Sequence, residues 1–273
     1  MTPTVLGSIV SLWRYPVKSM MGEELNATDV TQGGLLGDRA YALVDSSDGK
    51  VASAKNPRKW PQLFDCRAGL ADLPRTGVKA PPVRITLPDG TIVSSEQPDL
   101  DQIFSKVLKR EVKLCALPDV RTATAEAYWP DIEGLDHRDT VTDFGLPEGT
   151  FFDCALVHLL TTATLDRLQE LYPQGRFEVR RFRPNIVVET VNGEKDFVEN
   201  NWIGQMLAIG DAIRLSITRA CSRCVMTTLP QGDLPKDAGI LRTAAQHNRA
   251  NVGVYASVLQ GGKVRRGDSV RLE

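Results

Sequence analysis

The chain has little with which to build a metal site of its own: five cysteines and three histidines are scattered over 273 residues. A structural zinc site takes four ligands at set spacing, and only Cys221 and Cys224 lie close together, so zinc is the poorer reading of that pair. The odd, low cysteine count gives no disulfide framework and points to free thiols in a reducing cytoplasm. A surplus of basic charge is also lacking. The formal net charge is -1, which excludes a wholesale electrostatic role on nucleic acid. No apolar run approaches the roughly 20 residues that span a bilayer. The N-terminal stretch has no basic region followed by a long apolar one, so neither a signal peptide nor a membrane partner is expected.

What remains is an ordinary globular composition, 42% hydrophobic and 25% charged. The length suits one large domain or two smaller ones. The first ninety-odd residues read as β structure. SIVSLWRYPVKS alternates, AYALVDSSDGKVASA reads as a hairpin around Asp48-Gly49, and VRITLPDGTIVSS repeats the pattern around Asp89-Gly90. DLDQIFSKVLKR then places Leu100, Ile103, Phe104, Val107 and Leu108 on one helical stripe behind Asp99 as N-cap. Pro118 to about Gly149 shows little periodicity and reads as a long surface connection, a lid candidate.

The second half is mixed. ALVHLL reads as a buried strand, and TTATLDRLQELYP as a helix capped by Thr161 or Thr162. FEVRRFRPNIVVE reads as one long strand or a strand pair, QMLAIGDAIRLSITRA as two strands around Gly210-Asp211, and PKDAGILRTAAQHNR as a helix. NVGVYASVLQGGKVRRGDSVRL reads as a closing hairpin through Gly261-Gly262. The fold class is therefore mainly β with some α (α+β).

Four short stretches carry charge or soft ligands. CSRC admits half a zinc site, a redox dithiol, a ligand for another soft metal, or plain packing. The dithiol reading wants its first cysteine at a helix N-terminus, and VMTTLP is not a helix start. Arg219 and Arg223 suit a thiolate in a positive setting, which soft metals favour. RRFRPN, read as a strand, points Arg181 and Arg183 to one face, where Arg forks can grip phosphate and Asn185 can meet a heterocycle edge. A charged edge strand has the same composition. YPVKSM offers Lys18 and Ser19 to an anion, and GDRAYAL offers Arg39 at a strand start.

Taken together and in this order, WRYPVKS, GDRAYAL, RFRPNIVVE and W-x-G-x-x-L-x-I-G-D leading to CSRC resemble the MOSC (molybdenum cofactor sulfurase C-terminal) domain family, and in particular its amidoxime-reducing branch. The likeness spans about Ser8 to Leu272. It implies a MOSC β-barrel with peripheral helices over 119–273, preceded by a smaller N-terminal β-barrel-like domain over 1–118. It also implies a pterin-based molybdenum cofactor (Mo-molybdopterin), with Cys224 as the metal ligand and catalytic residue. Lys18, Ser19, Arg39, Arg183, Asn185, Ser222 and Arg223 would hold the pterin and its phosphate. Thr162 and Thr164 match a Ser/Thr-bearing stretch of the family, and Arg181 joins the set through RRFRPN.

The implied activity is two-electron reduction of N-hydroxylated compounds such as amidoximes, hydroxylamines and N-hydroxylated bases. No C-x₄-C-x₂-C spacing for an iron–sulfur cluster is present, so the resemblance implies a separate electron donor of the ferredoxin or flavin reductase type. The alternative is a carrier that delivers molybdenum cofactor or sulfur to other enzymes. TTLPQGDLPKDAGILRT departs from the shorter Asp-Pro-Asp-Thr-Gly turn of the amidoxime-reducing pattern, which makes Asp233 and Asp237 candidate substrate-facing groups.

Overall fold

A computed structural model describes residues 4–117, 122–191, 193 and 195–273. Part of the connection expected over 118–149 lies outside these residues, at 118–121. Seven strands close into a barrel in the order Ile186–Thr190, Val157–Thr161, Asn251–Gln260, Ile213–Ser222, Met206–Ile209, Ser269–Leu272 and Thr4–Arg14, the last pairing back onto the first. The closing pairs are Gly7 with Thr190 and Leu12 with Ile186 on one edge of the first strand. Thr4 with Leu272 forms the other edge. The barrel therefore takes a strand from the far N-terminus as well as six from the second half, and its hydrogen bonds do not follow a division near residue 118.

The barrel interior is filled by alternate, mostly β-branched or Leu side chains. Ile9, Leu159, Ile186, Val188, Ile217 and Val254 belong to one apolar cluster, as the two-residue period of a strand requires. The first strand changes phase on the way. A register shift between Ile9 and Ser11 lets both Ile9 and Leu12 face inward, which strict alternation forbids, and it leaves Arg14 buried. Gly7 is required on this strand, because a Cβ there would sit 2.0 Å from the Glu189 carbonyl oxygen.

Outside the barrel, Tyr41–Asp45 pairs with Val112–Ala116. Arg67–Leu70, Val83–Thr86 and Ile92–Ser94 form a three-stranded sheet. Helix Leu100–Leu108 buries Leu100, Phe104 and Leu108 in the same core. Helices Thr162–Leu171 and Ala238–Asn248 pack outside the barrel on a cluster containing Leu160, Leu168 and Ile240. Thr161 caps the first of these, its hydroxyl accepting from the Thr164 N–H.

Three readings of the sequence are corrected. Within the expected surface connection, Thr124–Trp129 and Thr140–Gly145 form an antiparallel pair. Of the stretch 177–189, expected as one long strand or a strand pair, only Ile186 onward is a strand; before it stands a helical turn, Val179–Phe182, followed by Arg183 at φ 54°. Gly261-Gly262 is a crossing rather than a hairpin turn: Gly262–Arg265 pairs with Ala27–Thr31, not back onto the preceding strand. A Cβ at Gly261 would lie 2.4 Å from the Val30 carbonyl oxygen, which explains glycine at the crossing.

Candidate cofactor site

At one end of the barrel, the segments around Lys18, Arg39, Lys55, Asp153, Arg183 and Cys224 converge on a single cleft. It is lined by eight of the eleven residues expected to hold the cofactor: Lys18, Ser19, Arg39, Arg183, Asn185, Ser222, Arg223 and Cys224. Three of these, Ser19, Arg39 and Arg183, have φ of 63°, 49° and 54°. Non-glycine residues rarely adopt such values, and they concentrate at functional sites where surrounding structure holds them. Here the holding contacts are visible. The Arg39 N–H donates to the Tyr15 carbonyl, and the Arg183 N–H to the Val179 carbonyl.

Asp38 organises one wall from beneath. It is buried, and it accepts from the Tyr15 N–H at 2.7 Å, from the Asn185 amide at 2.8 Å, and from Arg39. Asn185 is also an acceptor for the His158 N–H at 3.1 Å. Its amide is thus engaged in positioning the wall. Arg183 lies over the Tyr15 ring at 4.1 Å and donates to the Met20 carbonyl. Burial, and then repulsion by Arg39, bring its pKa down to about 10, so it remains a cation at neutral pH. The Ser19 hydroxyl accepts from the Ala54 N–H at 3.0 Å, which leaves its own proton free to donate.

Four lining residues carried no recognisable signal in the sequence. Lys55 faces Lys18 across Asp153, its Nζ 2.9 Å from that carboxylate, which Lys18 also contacts. Burial alone would raise the Asp153 pKa, but Lys18 and Lys55 together hold it far below the usual carboxylate range. Burial lowers Lys18, with Asp153 opposing the shift. For Lys55 the attraction of Asp153 and Cys224 outweighs burial and raises the pKa. His158 has its ring nitrogens 3.4 Å from the Arg183 carbonyl and 3.2 Å from that of Val252. Burial, then the nearby Arg223, lowers its pKa to about 3, so it is neutral. Tyr255 completes the far wall.

Cys221 and Cys224 have different surroundings. Cys221 is fully buried and receives a hydrogen bond from Arg223. Cys224 is half-buried, lines the cleft, and heads a single 3-10 turn, Val225–Thr228. Arg223 also donates to the Phe182 carbonyl at 2.7 Å, while its buried Nε has no partner among the described residues. An unpaired guanidinium N–H is costly, and here it belongs to a cleft with five cations, Lys18, Arg39, Lys55, Arg183 and Arg223, against the carboxylate of Asp153. The arrangement is suited to a multiply anionic ligand with a soft atom beside Cys224.

Three of the cofactor candidates, and both substrate-facing candidates, lie elsewhere. Arg181 is fully buried and spends its donors on the carbonyls of Arg176, Thr227, Leu229 and Pro235. The helical turn at Val179–Phe182 is the cause, since it turns Arg181 and Arg183 to different sides. Thr164 is buried and donates to Glu199 at 2.7 Å. Thr162 lines a separate cavity. Asp233 is paired with Arg176 and Arg180, and Asp237 caps helix Ala238–Asn248, so both are structural.

The cleft sets a thiol and a ring of cations at one end of a closed barrel. The MOSC domain matches residues 147–271 and the MOSC N-terminal beta barrel domain matches residues 6–117. This chain belongs to the MOSC family. Mitochondrial amidoxime reducing component 2 of Rattus norvegicus is 23% identical, over 97% of this chain and 83% of that protein. The Bos taurus protein of the same name is 27% identical over the same shares. Molybdenum cofactor sulfurase of Oryza sativa subsp. japonica is 25% identical over 90% of this chain, which spans 31% of its length. Among solved structures, the YUAD protein from Bacillus subtilis superposes with a TM-score of 0.46 at 11% identity, covering 97% of this chain and 94% of that one.

Proposed function

We propose that the cleft binds a molybdenum cofactor and that the protein is a reductase of N-hydroxylated compounds, supplied with electrons by a separate redox partner. The observation that carries this reading is the convergence of eight motif residues, drawn from four distant stretches, on one cationic cleft with a half-buried thiol. The donor set fits the cofactor. Among the described residues no cluster of three or more His, Cys, Asp or Glu is placed to hold a metal. A metal on Cys224 would thus take its other ligands from the cofactor itself. Lys18, Ser19, Arg39 and Arg183 would hold anionic groups. Arg223 would use its unpaired Nε–H toward the cofactor while stabilising the Cys224 thiolate. When bound, molybdenum would supply the two-electron, oxygen-removing chemistry.

The free space in the cleft is about 90 Å³, room for several waters and less than a pterin needs. Entry therefore requires side chains at the mouth to move. Asp153 is the natural one, because it occupies an anion position between Lys18 and Lys55 and its side chain is 29% exposed. Lys18 and Lys55 would then hold the phosphate in place of the Asp153 carboxylate.

The test is molybdenum and pterin content after expression in a host that makes the cofactor. Wild type is expected to carry near-stoichiometric molybdenum. Cys224→Ser is expected to lose it while keeping part of the pterin. The loaded wild type should then reduce benzamidoxime with a chemical reductant. Absence of both metal and pterin in either protein would overturn the reading. Bound cofactor without turnover, released readily to an acceptor enzyme, would instead favour a carrier, in line with the sulfurase relative.

A further inference from the structure

A second cavity, of about 570 Å³, lies on the other side of Tyr15 and Arg183 from the cleft. That volume is in the range of small-molecule sites. One part of its wall is apolar, with Trp13 and Tyr15 stacked at 6.5 Å between ring centroids and Leu165 and Phe177 among the others, and the rest is polar or charged. One polar group points to a ligand. Gln231 is 1% exposed and lines the cavity, and its Nε2 has no hydrogen-bond partner among the described residues. A buried amide N–H left unpaired is costly, so a ligand acceptor that pairs with it recovers that loss.

The aim of Gln231 is fixed by its surroundings. Gln231 and Leu234 exchange backbone hydrogen bonds at 3.0 Å in each direction, closing a tight turn over Gly232, at φ 58°, and Asp233. Asp233 is anchored by Arg176 and Arg180, so the turn is pinned to the cavity wall. This is the same segment that departs from the amidoxime-reducing pattern. The charge at the cavity favours an acceptor. Arg67 at the rim has no carboxylate partner among the described residues, and Arg183 stands at the floor. Asp166, the rim carboxylate without an ion pair, is exposed to solvent.

We propose that this cavity is a binding site for a flat aromatic molecule that carries a carboxylate or comparable acceptor group, with the ring against Trp13 and Tyr15 and the acceptor on Gln231 Nε2. The site does not depend on the cofactor reading, since its walls and donor are present without one.

Benzoate is the probe, titrated into the full chain while the indole N–H resonances are followed by NMR, with Trp13 assigned through Trp13→Phe. We expect one saturable site that shifts the Trp13 resonance. Affinity should fall about tenfold or more in Gln231→Leu, as expected for losing a hydrogen bond to a charged group. It should vanish in Leu165→Trp, which fills the cavity, and stay unchanged in Cys224→Ser. Gln231→Glu, close in shape, should reject benzoate and take benzylamine instead. Far-UV circular dichroism and melting curves establish that each variant is folded, and Leu165→Trp gives the answer independently if Gln231→Leu is not. No saturable Trp13 shift, or equal benzoate affinity in wild type and both cavity variants, would overturn the proposal; the latter would place benzoate in the basic cleft.

Discussion

A single histidine illustrates how the cleft depends on desolvated side chains. His158 is 5% exposed, between two carbonyls and near Arg223. Its pKa falls to about 3 from an ordinary 6.5, by burial first and Arg223 second. The sign follows directly. Between pH 6.5 and 3 the unfolded chain binds a proton that the native ring refuses, so stability rises with pH across that window. The contribution is fully present above 6.5 and is lost as pH falls toward 3. One such proton changes stability by about 1.4 kcal/mol per pH unit within the window. Denaturant melts between pH 7 and pH 4 should show this slope in the wild type and a shallower one in His158→Gln. Equal slopes would mean that His158 is protonated in the native protein. Gly253 belongs to the same arrangement, because a Cβ there would lie 2.3 Å from His158 Nε2.

At the scale of elements, Arg181 ties the helical turn Val179–Phe182 to the segment after Cys224. Its guanidinium reaches the carbonyls of Thr227, Leu229 and Pro235, spanning the 3-10 turn and the loop behind it. Arg181→Met fills much of the same volume but leaves these carbonyls without their donor. A loss of about 3 kcal/mol or more is expected, since each stranded buried acceptor costs about 1–3 kcal/mol. It would be read from urea midpoints. Arg181→Lys should recover only part of it, because one ammonium cannot reproduce the fork. A destabilisation below about 1 kcal/mol would show that the segment is held by other contacts.

This element also marks where local pattern stopped being informative. The helices at Leu100–Leu108, Thr162–Leu171 and Ala238–Asn248 were legible from local sequence, the second also through its Thr161 cap, whereas Asp99 makes no side-chain capping bond to the first. The turn at Val179–Phe182 was not legible. It is four residues long, too short for periodicity, and it ends on Arg183 at a positive φ, where no glycine announces the cap. Lys55 and Asp153 escaped for a related reason: nothing within ten residues of either announces that they meet over Lys18.

For the whole molecule, the barrel is the feature least visible in local sequence. The alternation of SIVSLWR identifies a strand but not its barrel partners, which lie more than 170 residues away. The motif residues were legible as a set because a family resemblance supplied the pairing that spacing cannot. The expected division near residue 118 is open to a direct test. A fragment of residues 119–273 lacks Thr4–Arg14 and exposes the edges of Ile186–Thr190 and Ser269–Leu272, and open edges promote aggregation. We expect it to be insoluble or to lack a cooperative melt. Co-expression with residues 1–118 should restore a soluble complex. A fragment that melts cooperatively by itself would show that six strands suffice. Among the described residues, no helix is long and apolar enough to cross a membrane.

The seam between Thr4 and Leu272 also sets a schedule. On a ribosome adding about 5–20 residues per second, the first strand is made tens of seconds before the strand it must pair with. Until residues 269–272 emerge, residues 4–8 of that strand have no permanent neighbour on that edge, and the nascent chain has to be kept from pairing elsewhere. The walls of the cleft are assembled on the same timetable, since Arg223, Cys224 and Tyr255 are among the later residues made. Any prosthetic group held there meets a complete set of walls only once Tyr255 has been made, so the grip forms late in the assembly of the barrel.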